Sequence, residues 1–159
     1  MQLHITTRQG DGGYTTPLSG ESCLKASSIL ECVGALDELR AQVALLRLHI
    51  EASGAEGAQH TAAFLWWLLH TLFVVGALCS DPLRKRPDAH AHELGPEALG
   101  KLEAEQARIE QTLALPRAFV ASAANPLAAQ ADIACSVARR FERTFVRLVE
   151  HTPGFEAPV

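Results

Sequence analysis

Ile29-Leu30-Glu31-Cys32-Val33-Gly34-Ala35-Leu36-Asp37-Glu38-Leu39-Arg40-Ala41-Gln42-Val43-Ala44-Leu45-Leu46-Arg47-Leu48-His49-Ile50 is the stretch that sets the fold class. Within it Ile29, Val33, Leu36, Leu39, Val43, Leu46 and Ile50 fall at steps of three and four residues, the repeat of a helix that buries one stripe. The pattern predicts a helix from Ala26 to Ala52, broken by Ser53-Gly54-Ala55-Glu56-Gly57. A second helix is expected from about His60 to Cys79. It is apolar nearly all round, with His70 and Thr71 the only polar residues between Ala62 and Cys79. Its length approaches the roughly 20 residues of a membrane span. The polar faces of its neighbours and the mild overall hydropathy read it instead as the central helix of a bundle, with no membrane partner.

Asp81-Pro82 ends that segment, and a polar loop with Arg84-Lys85-Arg86 and His90-Ala91-His92 runs to Pro96. A third helix, from about Glu97 to Leu113, sets Leu99, Leu102, Ile109 and Leu113 on one narrow side. Asn125 followed by Pro126 is a helix start, the side chain capping and the proline filling the first turn. The last helix is expected to reach about Thr152, before Pro153-Gly154. No segment alternates convincingly as a strand would, and no internal repeat is present. The expectation is an all-α single domain over 1–159, with an irregular loop region over 1–25 and a helical bundle over 26–152.

At 159 residues the chain is long enough for one buried core. A net charge of −4 argues against a surface for nucleic acid over the whole molecule. Met1-Gln2-Leu3-His4-Ile5 lacks the marks of a secretory signal, so a cytoplasmic location is expected. Cys23, Cys32, Cys79 and Cys135 form no C-x-x-C pair, which leaves buried or partly buried free thiols as their ordinary reading.

Three places concentrate chemistry. Thr7-Arg8-Gln9-Gly10-Asp11-Gly12-Gly13-Tyr14-Thr15-Thr16 gathers glycines, hydroxyls and a cation, the donors that phosphate oxygens need at close range. It is not a Walker A motif, since no Gly-Lys-Ser/Thr follows. Arg139, Arg143 and Arg147 repeat every four residues as a cationic stripe, and Glu142 stands three residues from Arg139, where it can orient it. A guanidinium fork suits phosphate, although a solvated charged face has the same spacing. Asp37 lies at the edge of the first helix's buried stripe, where a helix-surface ion pair is its ordinary explanation. His90 and His92, beside Asp88 and Glu93, sit on a loop that offers a metal little preorganisation, so no metal site is expected.

In order, these pieces resemble the PduO-type ATP:cob(I)alamin adenosyltransferases from about Ile5 to Leu148. Thr7-Arg8-Gln9-Gly10-Asp11-Gly12-Gly13-Tyr14-Thr15 with Gly20 and Lys25 is similar to the family's phosphate loop. Gly34-Ala35-Leu36-Asp37-Glu38-Leu39 resembles its Gly-x-x-Asp-Glu-Leu segment, and Leu72-Phe73-Val74-Val75-Gly76 its Leu-Phe-x-x-Gly. Ala138-Arg139-Arg140-Phe141-Glu142-Arg143 is similar to its terminal Cys-Arg-Arg-x-Glu-Arg. The resemblance implies a five-helix bundle assembled as a homotrimer, with ATP and Mg²⁺ at each subunit interface and cobalamin beside them. It implies an enzyme in which Co(I) attacks the 5′ carbon of ATP and expels triphosphate, served by a reductase and by a consumer of adenosylcobalamin.

By the same resemblance Thr7, Arg8, Gly10, Asp11, Gly12, Gly13, Thr15 and Lys25 cradle ATP from one subunit. Arg139, held by Glu142 and supported by Arg143, reaches the phosphates from the next, Asp37 belongs to the catalytic set, and Phe119 stands against the lower corrin face. The departures gather on the corrinoid side. Cys135 replaces an arginine that pairs with the aspartate of Asp-Glu-Leu, and Asp132 replaces a histidine. Val120-Ala121-Ser122-Ala123-Ala124 replaces a Leu-Pro-Gly-Gly turn. They leave a second reading, a non-catalytic relative that binds a nucleotide, corrinoid, tetrapyrrole or metal ligand as sensor, carrier or chaperone. Arg40 or Arg143 is the expected substitute cation, with Arg40 favoured because it lies three residues from Asp37 on the same helix.

Overall fold

The computed structural model describes residues 8, 10–90, 92–114, 117–118 and 125–156. Two short strands, β1 (Tyr14–Thr15) and β2 (Cys23–Leu24), pair antiparallel, with Tyr14 opposite Leu24 and Thr15 opposite Cys23. They precede α1 (Ser28–Ser53), α2 (Ala58–Ser80), one 3-10 turn (Pro87–Ala89), α3 (Pro96–Thr112) and α4 (Pro126–Glu150). The two-residue ladder has no periodic signal in the sequence. Four α-helices lie among the described residues, one fewer than the resemblance implies.

The helix ends follow local chemistry. Ser27 caps α1 by accepting the Leu30 N–H at 3.4 Å, and Gly54 closes it in the left-handed region with φ 62°, a conformation that costs glycine little. Asn125 accepts the Ala128 N–H at 2.9 Å ahead of Pro126, as its sequence predicts.

α1 is the centre and packs against both α2 and α4. Leu36, Leu39 and Val43 of α1 meet Leu65, Leu69 and Leu72 of α2 and Val137 of α4 in the main core. Ile50 and Leu46 pack at its rim, and Ile29 and Val33 serve a second cluster around Cys32, Cys79, Leu148 and Phe155. Burying each of these side chains contributes about 1.5–3 kcal/mol. Gly76 sets the closest approach, since a Cβ there would stand 3.3 Å from Leu36 Cδ2. α2 is long and apolar enough to cross a membrane, yet Ala62, Leu65, Leu69, Leu72, Leu78 and Cys79 are buried within the bundle.

Cys32 and Cys79 touch at 3.7 Å between sulfurs and are free thiols. The hydrogen bond with Cys32, together with burial, holds the Cys79 thiol protonated. Cys23 is half-buried, whereas Cys135 is exposed, which corrects the reading of all four as sheltered.

α3 is attached differently. Leu99, Leu102, Ile109 and Leu113 are exposed, and Glu105 is its one buried residue. That carboxylate accepts two hydrogen bonds from Arg108, at 2.9 and 2.7 Å, and lies 2.9 Å from His60 Nε2 of α2. Arg108 first and His60 second push its pKa down to about 2. The helix therefore meets α2 through this hydrogen bond and through Lys101, 4.3 Å above the Trp67 ring centroid, rather than through its apolar stripe.

Candidate functional site

The glycine loop closes on itself through its backbone. Asp11 N–H donates to Arg8 C=O and Gly13 N–H to Gly10 C=O, each at 3.2 Å, and Lys25 N–H donates to Gly13 C=O at 2.9 Å. Gly13 has φ 83°, where a side chain would be strained. Arg8 has φ 57° without being glycine, a conformation that costs of order 1 kcal/mol and is common where a loop presents a ligand contact. Lys25 comes back across the loop: a Cβ on Gly10 would stand 2.8 Å from its Nζ. Glycine at position 10 therefore makes room for an ammonium. Arg8, Asp11, Gly12, Gly13 and Lys25 are exposed and Thr15 is half-buried, so two cations and several donors share one open surface. Thr7 lies outside the described residues.

The tip of the hairpin rests on the end of α2. Leu18 N–H donates to Ser80 Oγ at 2.8 Å, and Ser19 N–H to Ser80 C=O at 3.3 Å. Ser80 was invisible as a site residue in the sequence, because a serine at a helix end is most often a cap.

On α4, Arg139, Glu142 and Arg143 are exposed. Among the described residues Arg139 makes no hydrogen bond or ion pair, to the loop or to Glu142, so the expected brace does not form within one chain. Its neighbour Arg140 pairs instead with Glu38 of α1. Arg140 and Arg143 edge a shallow hollow of about 330 Å³ with Ile133 and Ser136. Arg147 shares another, of about 350 Å³, with Ala26 and Ser28 at the loop's exit.

Asp37 is exposed and finds the cation expected of Arg40, whose Nη1 lies 3.1 Å from Oδ1. The Arg40 guanidinium also stacks 3.4 Å above the Phe73 ring centroid, which fixes it between the two partners. Asp37, Arg40, Phe73, Trp66 and His70 border a hollow of about 380 Å³ between α1 and α2. Phe119, Ser122, Ala123 and Ala124 lie outside the described residues. Among the described residues no group of three or more His, Cys, Asp or Glu side chains is placed to hold a metal ion.

A family model described as cobalamin adenosyltransferase matches residues 5–158. The human protein named corrinoid adenosyltransferase MMAB is 28% identical over 148 residues, which are 92% of this chain and 58% of that protein. This chain thus spans less than two thirds of that relative's length. A variant PduO-type ATP:corrinoid adenosyltransferase from Lactobacillus reuteri, solved with cobalamin and ATP, superposes with a TM-score of 0.81 at 20% identity, covering 94% of this chain and 80% of its own. A second variant from the same organism, solved with ATP, gives 0.78 at 21% identity over the same shares. At those identities the two structures establish the fold.

Proposed function

Because the chain belongs to the cobalamin adenosyltransferase family, whose model matches it over residues 5–158, we propose that it transfers the 5′-deoxyadenosyl group of ATP to the cobalt of reduced cobalamin. The Co(I) electron pair forms the bond to the 5′ carbon, the carbon–oxygen bond to the phosphate chain breaks, and triphosphate leaves with the electron pair of that bond. Negative charge grows on the leaving group, so fixed cations that meet it there lower the barrier.

The observation that carries this reading is the loop, in which Gly10 gives way to the Lys25 ammonium and both Lys25 and Arg8 face outward beside the Gly12 and Gly13 backbone. Thr7, Arg8, Gly10, Asp11, Gly12, Gly13, Thr15 and Lys25 hold the phosphates of ATP. Mg²⁺ travels with those phosphates and needs at most one or two protein carboxylates, for which Asp11 is available. Arg139 and Arg143 reach the same phosphates from a second copy of the chain, in a homotrimer, and Glu142 orients Arg139 once the interface forms. Asp37, held by Arg40, and Phe119 serve the corrinoid side. The protein works in the cytoplasm with a reductase that supplies the electron and an enzyme that consumes adenosylcobalamin.

The test is to mix the purified protein with ATP, Mg²⁺ and chemically reduced cobalamin and to follow the absorption spectrum. Appearance of the adenosylcobalamin spectrum is expected. Binding of both ligands without that conversion would make the chain a carrier or sensor instead.

A further inference from the structure

Asp81 is fully buried, at 0% exposure, although it stands at the end of α2 and not in the apolar core. A buried carboxylate costs several kcal/mol unless its oxygens are filled. They are filled by the Lys85 N–H on Oδ1 at 2.9 Å, the Arg86 N–H on Oδ2 at 2.9 Å and the His90 ring nitrogen Nε2 at 3.1 Å, with the His90 side chain itself only 3% exposed. All three partners belong to the turn that follows α2, so the carboxylate fixes that turn.

What the turn carries gives this a purpose. The two residues held through their amides are the two whose side chains meet the hairpin tip. Lys85 Nζ lies 2.6 Å from Glu21 Oε2, and Arg86 Cδ lies 3.6 Å from where a Cβ on Gly20 would be, at a glycine with φ 82°. The residue before Asp81 is Ser80, which binds Leu18 and Ser19 through its hydroxyl and its carbonyl. Residues 18–21, within the link between β1 and β2, therefore rest on 80–86.

We propose that Asp81, braced by His90, is a positioning residue for the phosphate loop: it holds the platform on which residues 18–21 sit and so sets where Gly10, Gly13 and Lys25 present themselves to ATP. The functional half of this rests on the loop being the ATP site. The structural half does not.

The experiment compares Asp81→Asn and Ser80→Ala with the parent protein by amide hydrogen exchange and by steady-state kinetics. Asparagine offers one acceptor where two amides and a ring converge, so Asp81→Asn is expected to speed exchange at Leu18 and Ser19 at least tenfold while Val137 and Leu148 in α4 keep their protection. The KM for ATP rises roughly tenfold, and kcat and the KM for cobalamin stay within about twofold. Ser80→Ala, which removes one hydroxyl and spares the buried pair, shifts the same observables in the same direction by less, and it stands as the test should Asp81→Asn fail to fold. Exchange that rises equally in α4, unchanged exchange at Leu18 and Ser19, or a loosened loop with unchanged ATP affinity overturns the proposal. A parent protein that binds no ATP sinks the reading of the loop, while exchange at Leu18 and Ser19 still decides whether Asp81 positions it.

Discussion

Ahead of β1 the glycine loop is closed by contacts within one chain: its turn bonds to itself and Lys25 folds across Gly10, while the hairpin tip that follows β1 sits on Ser80 and the Asp81 turn. The arginine row of α4 carries charge of the same sign, yet Arg139 has no partner among the described residues and Glu142 does not brace it. A cation held in place needs no second molecule to define its position, whereas an exposed row at a four-residue spacing gains its geometry only when something docks against it. In the site proposed above the loop is thus the finished half and the row the open half. In the proposed homotrimer that difference, more than the composition of either, is what lets two copies share ATP.

The largest expected effect follows from the open half. In the proposed site Arg139→Ala removes one charge-assisted contact to phosphate, so it should weaken ATP binding by about 10- to 150-fold, or about 1.5–3 kcal/mol. Stability should move by less than about 0.5 kcal/mol, because Arg139 is exposed and makes no hydrogen bond or ion pair among the described residues of its own chain. Titration calorimetry and thermal melts check both. A sharper version mixes Arg139→Ala with Lys25→Ala subunits after unfolding and refolding. If loop and row come from different copies, about a quarter of the sites in random mixed trimers regain both cations, and tight ATP binding returns. If both come from one chain, mixing restores nothing.

On the finished half, Gly10→Ala is expected to push Lys25 Nζ away from its 2.8 Å neighbourhood. Gly10 has no positive φ, so alanine fits the backbone and the fold should hold. ATP affinity should fall about 5- to 10-fold, the size of one ordinary hydrogen bond, because the ammonium is displaced rather than removed. Wild-type affinity in Gly10→Ala would show that the Lys25 ammonium does not meet the nucleotide.

Acid separates the two halves again. Burial raises the Asp81 pKa, but the Arg86 amide, the His90 ring and the Lys85 amide outweigh it, so the carboxyl titrates below its ordinary value of 3.8. A carboxyl with a lowered native pKa binds fewer protons folded than unfolded, so its contribution is complete above 3.8 and is lost as the pH falls through the native value. Protection of the Leu18 and Ser19 amides should fade over that range, and Asp81→Asn should abolish the dependence. Amides along the arginine row of α4 should show no such dependence. Loop protection that is flat with pH in the parent protein would break the link between Asp81 and the loop.

The bundle was legible because its signal is repetitive: the stripe from Ile29 to Ile50, the apolar run before Cys79 and the Asn125-Pro126 start each specify a helix end or face, and each appears within two residues of its expected place. The β ladder was not, since two residues per strand carry no period. α3 misled in a different way. Its leucines have the spacing of a buried stripe, but Glu105 against His60 and Lys101 over the Trp67 ring are the side-chain contacts that attach it to α2 among the described residues. In the site, the glycines and Lys25 announced themselves by type. Ser80, Asp81 and His90 did not: Asp81 fixes a local turn through Lys85, Arg86 and His90, but that turn meets the hairpin only across 60 or more residues, as Leu18 meets Ser80, and no local spacing encodes that.

Arg40 tests the comparison most finely, because it is the one cation that stands between a finished and an open arrangement. It is tied within the chain to Asp37 at 3.1 Å and to Phe73 of α2, whereas the departures at Cys135 and Asp132 lie on α4. If it replaces the arginine that the family resemblance places at position 135, Asp37 is already neutralised. Arg40→Ala should then cost about 0.5–1 kcal/mol of stability, since an exposed pair and one cation–π contact contribute little, and should slow single-turnover adenosylcobalamin formation by about two- to fivefold. Cys135→Arg in the parent adds a second guanidinium to a satisfied site, so turnover should stay level or fall. In the Arg40→Ala background the same change should recover the loss. A parent without turnover that Cys135→Arg brings to life would mean that Arg40 pairs with Asp37 in structure but not in function. An active parent indifferent to Arg40→Ala would leave the transferase reading standing and remove Arg40 from it.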